Sequence, residues 1–111
     1  MIDGAIFSAL SQFNPPGYLD GHSGVWMTSE EQLEAYASVF WDAGFQLHAH
    51  ANGDAGVDRA LDLLDTLLDR KPRRDHRFTL EHVAYSTEAQ SMRMRELGAV
   101  VSANPYYHYI L

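Results

Sequence analysis

An α/β fold built on parallel strands is the architecture this sequence predicts, and three observations carry the prediction. Strand-sized apolar runs alternate with helix-like periodic segments three times after residue 28, a rhythm that implies right-handed crossovers between parallel strands. The helical segments stop at Gly44, before Pro72 and at Gly98, residues that end helices and reverse the chain. Two of the apolar runs end in histidine, His50 and His82, and the ends of parallel strands are where such sheets gather their binding groups.

Residues 1–27 are rich in Gly, Pro, Ser and aromatics, with Asn14-Pro15-Pro16-Gly17 and Asp20-Gly21-His22-Ser23-Gly24 as turn signals. They predict a long loop after a short strand at Ala5–Leu10, and the Tyr, Trp and Phe content favours a packed lid over a solvated tail. Thr28-Ser29-Glu30-Glu31 reads as a capping box in which Thr28 and Glu31 open a helix running to about Ala43. Phe45 to His50 follow as a strand. A second helix starts near Gly53-Asp54, with Val57, Ala60, Leu61, Leu64 and Leu68 at spacings of three and four and aspartates on the other faces. The basic run Arg70-Lys71-Pro72-Arg73-Arg74 reads as a solvated connector with cations at a helix C-terminus. A strand at Phe78–His82, a helix opened by Ser86 or Thr87 and closed by Gly98, and a strand from Ala99 to Ala103 that ends at Asn104-Pro105 complete the pattern.

With 111 residues and 46% apolar content the chain has the size of a single domain with a modest core. Its 15 acidic against 8 basic residues give a formal charge of -7, which argues against nucleic acid as a partner. Cysteine is absent, so there are no disulfides, thiol nucleophiles or thiolate metal sites, and histidine and carboxylates are left as metal ligands. No segment has the roughly 18 apolar residues of a membrane span, and Met1-Ile2-Asp3-Gly4 lacks a basic signal-peptide start. The expectation is a soluble, cytoplasmic protein with no membrane partner.

The chemistry lies in the histidines. His48 and His50 fall on one side of their strand, because side chains repeat every second residue; a His-x-His pair can chelate a metal, and it can equally be a pair of hydrogen-bonded core or edge histidines. His82 shares with His50 a strand-end position. Asp54 stands at a helix N-terminus, where capping is one role and orienting a neighbouring loop or histidine another. Glu81 should face away from His82, with a salt bridge or a surface role rather than a catalytic one. Asn104 closes the last strand, and His108 follows close enough to reach a substrate pocket; His22 and His76 read as surface histidines.

Taken together, His50-Ala51-Asn52-Gly53-Asp54, the amphipathic helix after it, Asp75-His76-Arg77-Phe78-Thr79-Leu80-Glu81-His82, Leu97-Gly98 and the strand ending at Asn104-Pro105 resemble the amidohydrolase superfamily. The branch resembled contains N-substituted formamide deformylases and related metal-dependent hydrolases, and the opening Ile2-Asp3-Gly4-Ala5 is similar to the segment after that family's fourth barrel strand. The resemblance implies a partial (β/α)8 TIM-barrel segment of three to four parallel strands with alternating helices, with residues 1–27 as a loop-rich lid and 28–111 as βα units. It implies hydrolysis of C–N bonds in a small amide-type substrate, a divalent metal, zinc by preference, and His50 and His82 as its fifth- and sixth-strand ligands. It leaves His48, Asp54, Asn104 and His108 beside the ligands or the substrate.

A whole barrel needs about 250 residues. The family's first-strand histidine pair, its fourth-strand lysine and its eighth-strand aspartate have no counterpart here, and the lysine would stand just upstream of Met1. Without the aspartate the general base is missing, so the isolated chain is expected to be inactive. The competing expectations are a non-catalytic α/β module that binds or assembles through the inherited cleft, and a small self-standing hydrolase that recruits Asp54 or Asp3. Open strand edges further predict a homo-oligomer.

Overall fold

The computed structural model describes residues 1–110. Helix α1 (Glu30–Asp42) leads into strand β1 (His48–Ala51), α2 (Asp54–Arg70), β2 (Thr79–His82), α3 (Glu88–Leu97), β3 (Val100–Ala103) and a short α4 (Tyr106–Ile110). The three strands are parallel in the order β1-β2-β3, with His50 opposite Glu81 and Ala51 opposite His82. The sheet and its crossovers are those expected, with each strand one to three residues shorter at its start.

Helix α2 holds the core. Val57, Ala60, Leu61, Leu64 and Leu67 are fully buried and meet Ala49 and Ala51 of β1, Phe78 and Leu80 at β2, and Trp41 of α1. Each fully buried leucine contributes about 1.5–3 kcal/mol. The opposite face of the sheet carries His48, Glu81 and Ser102, and no helix among the described residues covers it. β3 is exposed along its whole length, and no helix among the described residues is long and apolar enough to cross a membrane.

Local departures from expectation have physical causes. Ala5–Leu10 is not a strand: Ile6–Ser8 form a 3-10 turn, and the Ala5 carbonyl accepts from both Ser8 and Leu10. The cap of α1 is Ser29, which accepts from the Gln32 N–H, whereas the Thr28 hydroxyl donates to the Met1 carbonyl. At α3 the capping box forms between Thr87 and Gln90. The basic connector is not merely solvated. Arg73 lies over the Trp41 ring and donates to the carbonyls of Trp41, Gly44 and Phe45, so a cation meets the C-terminus of α1, the end it favours. His76 is buried rather than superficial: its Nδ1 accepts from the Phe78 N–H and its Nε2 donates to the Leu97 carbonyl.

The first 27 residues form a packed loop. Phe13 and Val25 donate to Ser23 and Leu10 carbonyls, Tyr18 stacks on His22 with ring centroids 4.3 Å apart, and the Arg59 guanidinium lies 3.3 Å above the Trp26 ring. The loop presses on the turn between β1 and α2 so closely that a Cβ at Gly53 would lie 1.9 Å from the Gln12 carbonyl oxygen.

Two predictions follow from this loop. Gly53→Ala should lower stability in denaturant unfolding by about 3 kcal/mol or more, the upper range of overpacking. Gly21→Ala, where a Cβ meets nothing although φ is +88, should cost only the left-handed penalty of about 1 kcal/mol. The second concerns His22, whose ring nitrogens face the Ala9 carbonyl and the Asp20 carboxylate; these raise its pKa above the ordinary 6.5, and His22 lowers that of Asp20 below 3.8. The contribution of His22 is complete below its ordinary pKa and lost as pH rises through the raised one. That of Asp20 is complete above its ordinary pKa and lost as pH falls through the lowered one. The stability difference between wild type and Asp20→Asn should therefore be greatest between pH 3.8 and 6.5 and shrink on both sides, as read from chemical unfolding across pH.

Candidate metal centre

His50 and His82 stand at the C-terminal ends of neighbouring parallel strands, and their rings meet edge-to-face with centroids 4.7 Å apart. Pleating alone does not bring them together. Because His50 pairs with Glu81, a regular strand would send the next side chain, His82, to the helix-covered face. The chain leaves the pleat instead: φ is +77 at His82 and +40 at Val83, which turns the His82 side chain toward His50. Left-handed conformation costs about 1–2 kcal/mol per residue, and a β-branched valine is a rare occupant. The turn is held by hydrogen bonds from Val83 N–H to the Ala51 carbonyl (3.1 Å), from Tyr85 N–H to Asn52 (3.0 Å) and from Asn104 N–H to His82 (3.3 Å). Strain of this kind concentrates at functional sites. Nothing in the sequence around Val83 signals it.

His50 has a polar neighbour on each side. Its Nδ1 is buried without a hydrogen-bond partner and lies 3.6 Å from the Asp3 carboxylate; its Nε2 faces the Asn52 side-chain amide at 3.3 Å. Asp3 is fully buried, and its two oxygens accept backbone N–H bonds from Gln12, Asn52 and Gly53, each 2.9 Å long. It gave no sequence signal beyond its place in the opening segment, because its partners lie 9 to 50 residues away.

The other expected residues fall around this centre without joining it. His48 is exposed and bonds Glu81 (2.6 Å) on the uncovered sheet face; the Ser102 hydroxyl, then His48, lower the Glu81 pKa. Asp54 accepts from the Asn14 backbone and side-chain amides and from Ala55 N–H, so it ties the loop to the start of α2. Asn104 accepts from Tyr106 N–H. Asn104 and His108 line a cleft of about 480 Å³ together with Phe13, Tyr85 and Tyr107.

Two imidazoles in edge-to-face contact at strand ends are donors of the type a divalent ion takes, and as a donor set they fit two of its ligands. Among the described residues no group of three His, Asp or Glu side chains is placed to hold a metal.

A family model described as the amidohydrolase family matches residues 4–109. Protein LONG AFTER FAR-RED 3 of Arabidopsis thaliana is 28% identical over 106 residues, covering 94% of this chain and 18% of that protein. Crystal structures of uncharacterized metal-dependent hydrolases from Pyrococcus furiosus and Pyrococcus horikoshii OT3 superpose with TM-scores of 0.80 and 0.82 at 24% identity, covering 96% of this chain and 21% of theirs. The chain thus spans about a fifth of the length of these relatives, and its fold is that of a partial TIM-barrel segment.

The geometry separates Asp54 from the histidines. Asp54→Ala should cost about 1 kcal/mol of stability through the lost loop and helix-start bonds and leave zinc uptake unchanged, as measured by chemical unfolding and by calorimetric titration with zinc.

Proposed function

The chain belongs to the amidohydrolase family, and on that premise we propose that it supplies two protein ligands, His50 and His82, to the zinc centre of a hydrolase acting on the C–N bonds of small amide-type substrates. The observation that carries this reading is the convergence of the two imidazoles at neighbouring strand ends, maintained by a strained turn. A divalent ion bound there supplies Lewis acidity that polarises a carbonyl and acidifies a water. The chain's own residues do the rest of what it contributes. His50 and His82 hold the ion as neutral imidazoles, Asn52 steadies the His50 ring, and Phe13, Tyr85 and Tyr107 give the adjoining cleft an apolar wall. Residues 1–27 act as the lid of one domain that runs from 1 to 111.

On this reading the chain contributes ligands without turning over substrate by itself, since among the described residues no group of three His, Asp or Glu side chains is placed to hold a metal. The same observation favours, as the second reading, a non-catalytic α/β module that uses this cleft for binding or assembly. In either case the exposed β3 edge is the surface through which a homo-oligomer would form.

Metal content decides between the two. Purified chain loaded with zinc and desalted should retain zinc by inductively coupled plasma mass spectrometry, and the His50→Ala, His82→Ala double variant should lose it. A wild-type chain that retains none, or a double variant that retains as much, would overturn the metal-centre reading in favour of the module.

A further inference from the structure

We propose that the cleft beside the histidines is the subsite for an uncharged aromatic substituent, so that the small amide is one that carries an aryl or arylalkyl group; this rests on the cleft being the substrate cleft of the reading above. At about 480 Å³ it falls within the roughly 300–1,000 Å³ of small-molecule sites. It lies at the C-terminal ends of β2 and β3, where parallel sheets gather their ligands. Val83 and Ala84, which line it, directly follow His82 in the chain, and Asn104, which also lines it, donates its backbone N–H to the His82 carbonyl. A group seated in the cleft is therefore a neighbour of the histidine pair.

Three rings from three separate segments line the cleft: Phe13 of the first loop, Tyr85 after β2 and Tyr107 of α4. Each already has an aromatic partner. Phe13 and Tyr85 meet edge-to-face with centroids 6.0 Å apart, and Tyr107 meets Phe7 in the same way at 5.8 Å. These pairs orient the walls before a ligand arrives, and a further ring joins them in the offset or edge-to-face geometry that aromatic groups prefer. Tyr85 is 54% exposed; its backbone N–H ties the turn to the Asn52 carbonyl, and much of its ring is left for a ligand. The charge of the occupant follows from the lining. Among the described residues of the cleft there is no Lys, Arg, Asp or Glu, and its polar side chains are those of Asn104 and His108. A carboxylate on the substituent would lose hydration without meeting a cation, in a chain whose formal charge is -7, and an ammonium would meet no carboxylate. Neutral aryl amides are thus favoured over acylated amino acids.

The test is a proton–nitrogen NMR titration of the full, zinc-free chain with benzamide, propionamide and terephthalamate, the last being benzamide with a second, ionised carboxyl group. Benzamide should shift the backbone amides of Val83, Ala84, Tyr85 and Asn104 and bind about tenfold more tightly than propionamide, the worth of its extra apolar area; terephthalamate should bind no better than propionamide. Tyr85→Leu keeps the backbone bond and an apolar side chain, and should weaken benzamide about 2- to 12-fold, the range for one aromatic pair, while propionamide is unaffected and the amide spectrum reports an intact fold. Wild-type chain that binds benzamide no better than propionamide overturns the proposal, whatever the variant does. So do shifts confined to Asn14 and Gly17 of the adjoining cleft, terephthalamate bound as tightly as benzamide, or a folded variant with unchanged benzamide affinity. If the ring preference is found but wild-type chain retains no zinc, the aromatic subsite stands and it is the metal-centre reading that has failed.

Discussion

The buried carboxylate of Asp3 is the interaction on which the site end of this molecule depends. It gathers backbone N–H groups from the loop at Gln12 and from the turn Asn52-Gly53, where β1 ends and α2 begins. Each hydrogen bond to a charged group is worth about 1.5–3 kcal/mol, and a carboxylate out of water requires them. The same three contacts seat the first loop, start the helix that holds the core and place the histidine at the end of the strand. Gly53 and Gly56 are glycines because the Gln12 carbonyl and the Asp3 carboxylate occupy the space that a Cβ would need.

A second constraint sits across the sheet. Strand pleating sorts side chains into a helix-covered apolar face, with Ala49, Ala51 and Leu80, and an uncovered polar one, with His48, Glu81 and Ser102. His82 belongs by parity to the first face and reaches the neighbourhood of His50 only because two successive residues adopt positive φ. A regular strand would place the imidazole among the core side chains of α2. Local backbone strain is thus what accompanies the meeting of the two strand-end imidazoles.

Much of the fold was legible in the sequence because its signals are local. The three- and four-residue spacing from Val57 to Leu64 gave α2, Gly98 gave the end of α3, and alternation gave the parallel sheet. His50 and His82 were legible as strand-end residues and through the family motifs around them. What escaped was long-range. Asp3 reads in the sequence only as a carboxylate that a small self-standing hydrolase could recruit, until the chain brings residues 12, 52 and 53 around it. His76 looks like a surface histidine until the end of α3 folds over it. Arg73, in a run that reads as a solvated connector after α2, instead caps a helix about 30 residues earlier. Ser29 rather than Thr28 caps α1 because Thr28 is drawn to the Met1 carbonyl, a competition that adjacent hydroxyl residues conceal.

Strand β3 is exposed at every position and paired on one side only. Proteins open first where burial is least and last where it is greatest, so β3 and α4 detach before β1, β2 and α2 loosen. The Asn104 N–H bond to the His82 carbonyl goes with them, and it is one of the three restraints on the strained turn. His50 lies on the side of β1 away from such an opening, whereas the turn at His82 keeps only the bonds from Val83 and Tyr85. The two imidazoles therefore differ in support: one stands beside the buried core, and the other depends in part on the least buried edge of the sheet.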